Sequence, residues 1–127
     1  MNIPDRIRYI NKYFTNRLMM LIAGRKYSPI AILWHTGRKS GSRYAIPIIA
    51  ARQSDGFVLA LTYGFHVDWY KNILAAGTAE LTWHGNKYRL SFVSILEKEV
   101  GRASFSQPFR AMLRWLGTDG FIHMRTV

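Results

Sequence analysis

Apolar side chains recur along this chain with two different periods, and the changes of period divide it. Ile7, Ile10, Phe14, Leu18 and Leu21 are spaced by threes and fours, which places them on one face of a helix over residues 3–23. Pro4 suits the first turn of that helix and Gly24 its stop. Arg6, Arg8, Lys12 and Arg17 fall on its other faces. Such a helix either packs its stripe on a sheet with the cations in water or lies at an anionic membrane surface. After a polar break at 26–28, the period shortens. Residues 29–35 read as a first strand and 43–51 as a second, with Tyr44, Ile46 and Ile48 on one face. Pro47 cannot donate to a ladder, so its part of the strand lies at an edge or bulge. A turn at 54–56 leads to a third strand at 57–62, close enough in sequence for an antiparallel meander.

The pattern breaks at 63–66 and resumes as a short helix at 68–76, with Asp68 in its first turn and Gly77 at its end. Strands at 78–83 and 87–96 flank a tight turn at 84–86, and Tyr88, Leu90 and Phe92 alternate with Arg89 and Ser91. Residues 97–104 carry no clear period and are compatible with a short helical turn. A last helix runs from Ser106 through Leu116, with Phe109, Met112, Leu113 and Leu116 on one side, and residues 121–125 form a sixth strand. Six strands with two or three helices predict a mainly β, α+β fold: a small barrel with helices outside it or over its mouth.

The 127 residues make a single domain, a barrel over 29–127 preceded by the amphipathic segment 1–25. No cysteine is present, so disulfides, thiolate metal sites and a cysteine nucleophile are excluded. The most apolar part of the first helix, residues 18–23, is too short for a signal core or a membrane span. The chain therefore reads as soluble and cytoplasmic, with peripheral contact to a membrane left open. Net charge is +11 and uneven: residues 1–43 hold nine Lys or Arg against Asp5 alone. That field attracts polyanions, whether nucleic acid, anionic membrane or a cofactor with several phosphates and carboxylates.

The charge is concentrated in the bend between the first two strands. Residues 33–44 carry Arg38, Lys39 and Arg43, the hydroxyls Thr36, Ser40 and Ser42, and two glycines, Gly37 and Gly41, with no acid. Guanidinium, ammonium, hydroxyl and amide are all donors to phosphate or carboxylate oxygens. An ordinary solvated hairpin tip uses similar residues, and local composition does not separate the two. Other chemistry finds little support. His35, His66, His84 and His123 are far apart without a metal-ligand spacing, there is no Gly-x-Ser-x-Gly elbow, and neither a P-loop nor a Gly-x-Gly-x-x-Gly fingerprint is present. A bound cofactor that carries the chemistry fits what remains.

Thr36-Gly37-Arg38-Lys39-Ser40-Gly41-x-Arg43, Pro47 four residues on, and Tyr63-Gly64-x-x-x-Asp68-Trp69-x-x-Asn72-x-x-Ala75-Ala76-Gly77 together resemble the deazaflavin-dependent nitroreductase family. The likeness covers residues from about 30 to the C-terminus with the order of elements preserved, and it is closest to a small subgroup. It implies a split β-barrel of the FMN-binding type and coenzyme F420, a deazaflavin with a phosphate and an oligoglutamate tail. It also implies that Arg38, Lys39, Ser40, Gly41 and Arg43 hold the phosphate and tail, with Pro47 in the same motif. Backbone around Thr62, Tyr63 and Gly64 would border the ring and Trp69 would sit beside it, while Asp68 and Asn72 fix the turn that carries Trp69. Tyr9, Tyr13 and Tyr63 are aromatic and near the expected mouth, without a motif that assigns them to substrate.

The expected activity is hydride transfer from the reduced deazaflavin to a hydrophobic acceptor such as a quinone, enone or nitro compound. No side chain is assigned as a catalytic acid or nucleophile. An FMN enzyme on the same barrel is an alternative, although a shorter tail needs fewer cations. A basic nucleic-acid-binding barrel is another, but the aromatics lie within strand patterns rather than among the cations, so no nucleic acid is expected. By analogy with split barrels the chain pairs as a homodimer. Arg110, Arg114 and Trp115 on the last helix, with the first helix, could bring the mouth to an anionic bilayer.

Overall fold

The computed structural model describes residues 30–127; the expected helix over 3–23, Tyr9 and Tyr13 lie outside them. Six strands, β1 (Ile30–Thr36), β2 (Arg43–Gln53), β3 (Gly56–Leu61), β4 (Thr78–Trp83), β5 (Asn86–Leu96) and β6 (Gly120–Thr126), close into an antiparallel barrel in the order β1-β2-β3-β6-β5-β4. Three helices, α1 (Asp68–Ala76), α2 (Lys98–Ala103) and α3 (Phe109–Trp115), lie over it. The expected β1-β2-β3 meander is present, since Ile30 to Thr36 face Ile49 to Arg43, and Ala50 to Gln53 face Leu59 to Gly56. β3 pairs with β2 only from Ala50 onward. Pro47, opposite Ile32 on β1, therefore lies on a stretch with no β3 partner to miss its donor.

Alternation along the strands fills the barrel. Ala31, Leu33, Ile48, Ala50, Phe57, Leu59, Leu61, Leu81, Leu90, Ile122 and Met124 form the interior, and Ile73 of α1 joins them from one end. A second cluster lies outside the wall, where Phe105 and Leu113 cover Ile49, Val58, Ala60 and Phe121. β3 is thus buried along its whole length, because one face lines the barrel and the other lies under α2 and α3. Gly101 of α2 makes this approach close: a Cβ there would lie 2.3 Å from Phe121.

The short helical turn expected within residues 97–104 is α2, tied to the turn before β6 by buried Arg102, which donates to the Thr118 carbonyl at 3.1 Å. Two expectations change. Phe92 does not continue the inward alternation. It takes φ 57, the β5–β6 register shifts between Ser91 and Ser94, and the ring is 64% exposed while Val93 packs inward. A bulge inserts one residue and reverses the facing of those that follow. Leu116 falls at the C-terminal end of α3 and stays exposed, so Phe109, Met112 and Leu113 alone turn to the wall.

Turn chemistry sets the ends. His84 and Gly85 both take positive φ, 49 and 79, the geometry that matches the twist of a two-residue hairpin. Gly77 closes α1 at φ 79 with its N–H donating to the Ile73 carbonyl at 2.7 Å. α1 packs on β1 and β4, which places it beside the β1–β2 bend at one end of the barrel.

Candidate functional site

Local sequence shapes the bend. Gly37 N–H donates to the Ser42 carbonyl at 2.8 Å, and Gly41 N–H to the Gly37 carbonyl at 2.9 Å, with Gly41 at φ 72. A Cβ on Gly37 would lie 2.6 Å from Ser40 Oγ and 2.9 Å from the Tyr44 ring, so a larger residue there would push these two side chains from their present places. Ser40 Oγ accepts from the Ser42 N–H at 3.2 Å and contacts the Tyr44 hydroxyl at 3.2 Å.

Between this bend and α1 lies a hollow of about 540 Å³, bordered by Gly37, Arg38, Lys39 and Ser40 on the basic side and by His35, Tyr44, Ala45, Ile46, Val67, Asp68, Trp69 and Asn72 on the others. The volume is in the range of roughly 300–1,000 Å³ that holds a drug-sized ligand. It joins a cationic rim to an aromatic and aliphatic wall.

Asn72 is the joint of the site. It is 4% exposed, and its Oδ1 accepts from the Arg38 backbone N–H at 3.1 Å and from Arg38 Nη1 at 2.7 Å. Both groups on Arg38 can only donate, so the amide oxygen must face them and Nδ2 must face His35 Nδ1, 3.0 Å away. His35 Nδ1 therefore accepts, and the neutral ring carries its proton on Nε2. Burial pushes the His35 pKa below the usual 6.5, opposed in part by the nearby Asp68 charge, which keeps the ring neutral. Nε2 is buried and has no partner among the described residues. Arg38 also pairs with exposed Asp68 through Nη2 at 3.2 Å, so the bend is clamped to the first turn of α1.

The expected site residues thus divide. Arg38, Lys39, Ser40, Asp68, Trp69 and Asn72 border one hollow, and Gly41 shapes the bend above it. Lys39 makes no ion pair among the described residues, whereas Arg38 is committed to Asn72 and Asp68. Arg43, one residue before Tyr44, has the opposite facing: it pairs with Glu80 at 2.6 Å, lies over Trp34 at 4.6 Å, and borders a smaller hollow of about 140 Å³. Thr62, Tyr63 and Gly64 form the exposed turn after β3, with Gly64 at φ 84 donating to the Leu61 carbonyl at 3.0 Å. They are not among the residues bordering the larger hollow. His35 carries no metal-ligand spacing in the sequence; its signal is its place on the inward face of β1, two residues after Leu33 and directly before the bend.

The other histidines lie apart. His84 stacks on Trp83, and His123 Nε2 meets Asp55 Oδ1 at 2.9 Å. Among the described residues no group of three His, Asp or Glu side chains could hold a metal ion. On the last helix, Arg110 donates to the Phe105 carbonyl at 2.9 Å, and Trp115 is 85% exposed.

Comparison with solved structures finds the same barrel elsewhere. A structure described as an F420-H2 dependent reductase, FDR-A, has a TM-score of 0.57 at 18% identity, covering 76% of this chain and 94% of that one. A chain described as a domain-swapped dimer has a TM-score of 0.55 at 18% identity, with 94% and 97% covered. HutZ, described as the heme storage protein from Vibrio cholerae, has a TM-score of 0.57 at 10% identity, with 82% and 85% covered. At such identities the likeness speaks for the barrel alone. Comparison with curated proteins yields no match. The family model for F420H(2)-dependent quinone reductase matches residues 12–112, a span that includes the bend, the hollow and α1. The chain therefore belongs to the F420H(2)-dependent quinone reductase family and is an F420-dependent oxidoreductase.

Proposed function

We propose that this chain reduces a hydrophobic acceptor, a quinone first and an enone or nitro compound next, with the coenzyme held between the β1–β2 bend and α1. One observation carries the reading: the cationic bend and the aromatic wall border the same hollow of about 540 Å³. The coenzyme, when bound, supplies the hydride. The chain's own residues bind, orient and exclude water.

Lys39, with the hydroxyl of Ser40 and the amides of the bend around Gly41, takes the phosphate and the start of the acidic tail. Arg38 adds its charge while clamped to α1, and Arg43 extends the positive field past the bend, at the cost of its pairing with Glu80. Trp69, Tyr44, Ile46 and Val67 supply flat apolar surface for the ring and acceptor. The turn at Thr62, Tyr63 and Gly64 lies at the same end of the barrel and would border the ring by its backbone. Asp68 and Asn72 position Trp69 and the bend, and Pro47 holds the shape of β2 beneath them. The donor set suits a polyanion: cations, a hydroxyl and amides, with Asp68 already engaged by Arg38.

The test is titration of the intact protein with coenzyme F420 and with FMN, followed by absorbance, for the wild type, Lys39→Ala and the surface control Lys87→Ala. A charge-assisted bond is worth about 1.5–3 kcal/mol, so Lys39→Ala weakens F420 binding about ten- to a hundredfold while Lys87→Ala changes little. Equal binding by Lys39→Ala and wild type refutes the placement of the tail, and tighter binding of FMN than of F420 favours the flavin alternative. Homodimer formation and contact with an anionic membrane remain part of the proposal; exposed Phe92, Ile95 and Trp115 supply apolar surface for either. Among the described residues no helix is long and apolar enough to cross a membrane.

A further inference from the structure

His35 raises a question that its neighbours do not answer. The ring is 7% exposed, borders the hollow, and carries its proton on an Nε2 that finds no acceptor among the described residues. A buried donor without a partner is disfavoured and uncommon in folded proteins. The network on the other side of the ring makes the arrangement deliberate: Arg38 orients the Asn72 amide, and Asn72 in turn denies a proton to Nδ1. Three residues, from β1, the bend and α1, thus hold one neutral N–H donor on a residue that borders the cavity.

We propose that His35 is a ligand-binding residue whose Nε2–H donates to an oxygen acceptor of the molecule held in the hollow, with Asn72 and Arg38 as positioning residues. The acceptor is a carbonyl or phosphate oxygen, since Nε2–H offers a proton and cannot accept one. Nε2 itself is closed to water, so the oxygen reaches it only when a neighbouring group gives. Tyr44 stacks on His35 with centroids 5.6 Å apart, is exposed, and is held through its hydroxyl to Ser40; it is the neighbour that must give up that contact and turn aside. The inference rests on the reading that the coenzyme, which has both kinds of oxygen, enters this hollow.

The experiment is a long-range proton–nitrogen correlation spectrum of the intact protein with labelled histidine, before and after addition of oxidised coenzyme F420. His35 is assigned by its loss in His35→Gln. In the free protein its signals should be those of the neutral Nε2–H tautomer. On saturation Nε2 and its proton should shift while Nδ1 stays unprotonated. In Asn72→Asp, whose carboxylate accepts from Nδ1, that nitrogen should acquire a proton. His35→Phe should weaken F420 binding on the order of tenfold, and His35→Gln, which keeps an N–H donor, should recover part of the loss. Should F420 bind by absorbance while the His35 signals stay put, this inference fails and the proposed function stands. An Nδ1–H tautomer in the free protein also overturns it. Absence of F420 binding overturns both.

Discussion

Removing Asn72 tests whether the bend is held to the barrel by one side chain. The amide accepts two hydrogen bonds from Arg38 and donates one to His35. Asn72→Ala removes all three and leaves the Arg38 N–H and His35 Nδ1 without partners. A neutral hydrogen bond contributes about 1 kcal/mol net and one to a charged group about 1.5–3 kcal/mol, with the partly buried site at the lower end. The expected loss is about 3 kcal/mol. Arg38→Ala keeps the backbone N–H and loses the Nη1 bond and the pair with exposed Asp68, the latter worth less than about 1 kcal/mol; its expected loss is about 2 kcal/mol. The two variants share only the Nη1–Oδ1 bond. The double variant should therefore lose about 3.5 kcal/mol, with a coupling energy of about 1.5 kcal/mol. Equilibrium unfolding in urea, followed by circular dichroism and tryptophan fluorescence, reads all four proteins, and an unchanged m-value shows that the same transition is compared. Losses that add to within about 0.5 kcal/mol would refute the clamp.

Three further outcomes follow from the same structure. The folded-state pKa of His35 lies below its usual 6.5, so above that value neither state binds the proton and the group contributes nothing. As pH falls below about 6.5 the unfolded chain takes the proton first, so stability declines until the folded pKa is passed. Urea midpoints of wild type should fall more steeply than those of His35→Gln as pH drops below about 6.5, and parallel slopes would count against the burial argument. Asp55 has its pKa lowered mainly by the hydrogen bond from His123; its contribution is present above 3.8 and is lost as pH falls through the folded value, so Asp55→Asn should flatten the acid limb of the stability profile. Gly101→Ala should cost about 1–3 kcal/mol by overpacking against Phe121, more than the helix gains from alanine, and a raised urea midpoint would contradict the close approach.

Much of the barrel was legible because its signals are local. The alternation of Tyr44, Ile46 and Ile48, the turn residues His84 and Gly85, and the stop at Gly77 each act within a few residues, and each is in the structure where the pattern places it. Even the basic bend was visible as composition. Phe92 was not, because a bulge depends on the register of β6, a strand about thirty residues away. Leu116 misled for a related reason: the apolar stripe of a short helix does not say where the wall beneath it ends.

The candidate site divides along the same line. Sequence by itself determined the donor types near residues 36–43, their separation from the Asp68–Asn72 segment, and the family to which both motifs point. Tertiary structure alone decided how the cations are employed, because that depends on what closure of the barrel and packing of α1 bring opposite each of them. Arg38 is drawn to Asn72 and Asp68, Arg43 to Glu80 on the far face, and Lys39 stays on the hollow. His35 becomes a fixed donor only through an amide 37 residues away. Hydrogen bonds of this kind are set by distance and angle across elements, and no local pattern in the chain encodes them.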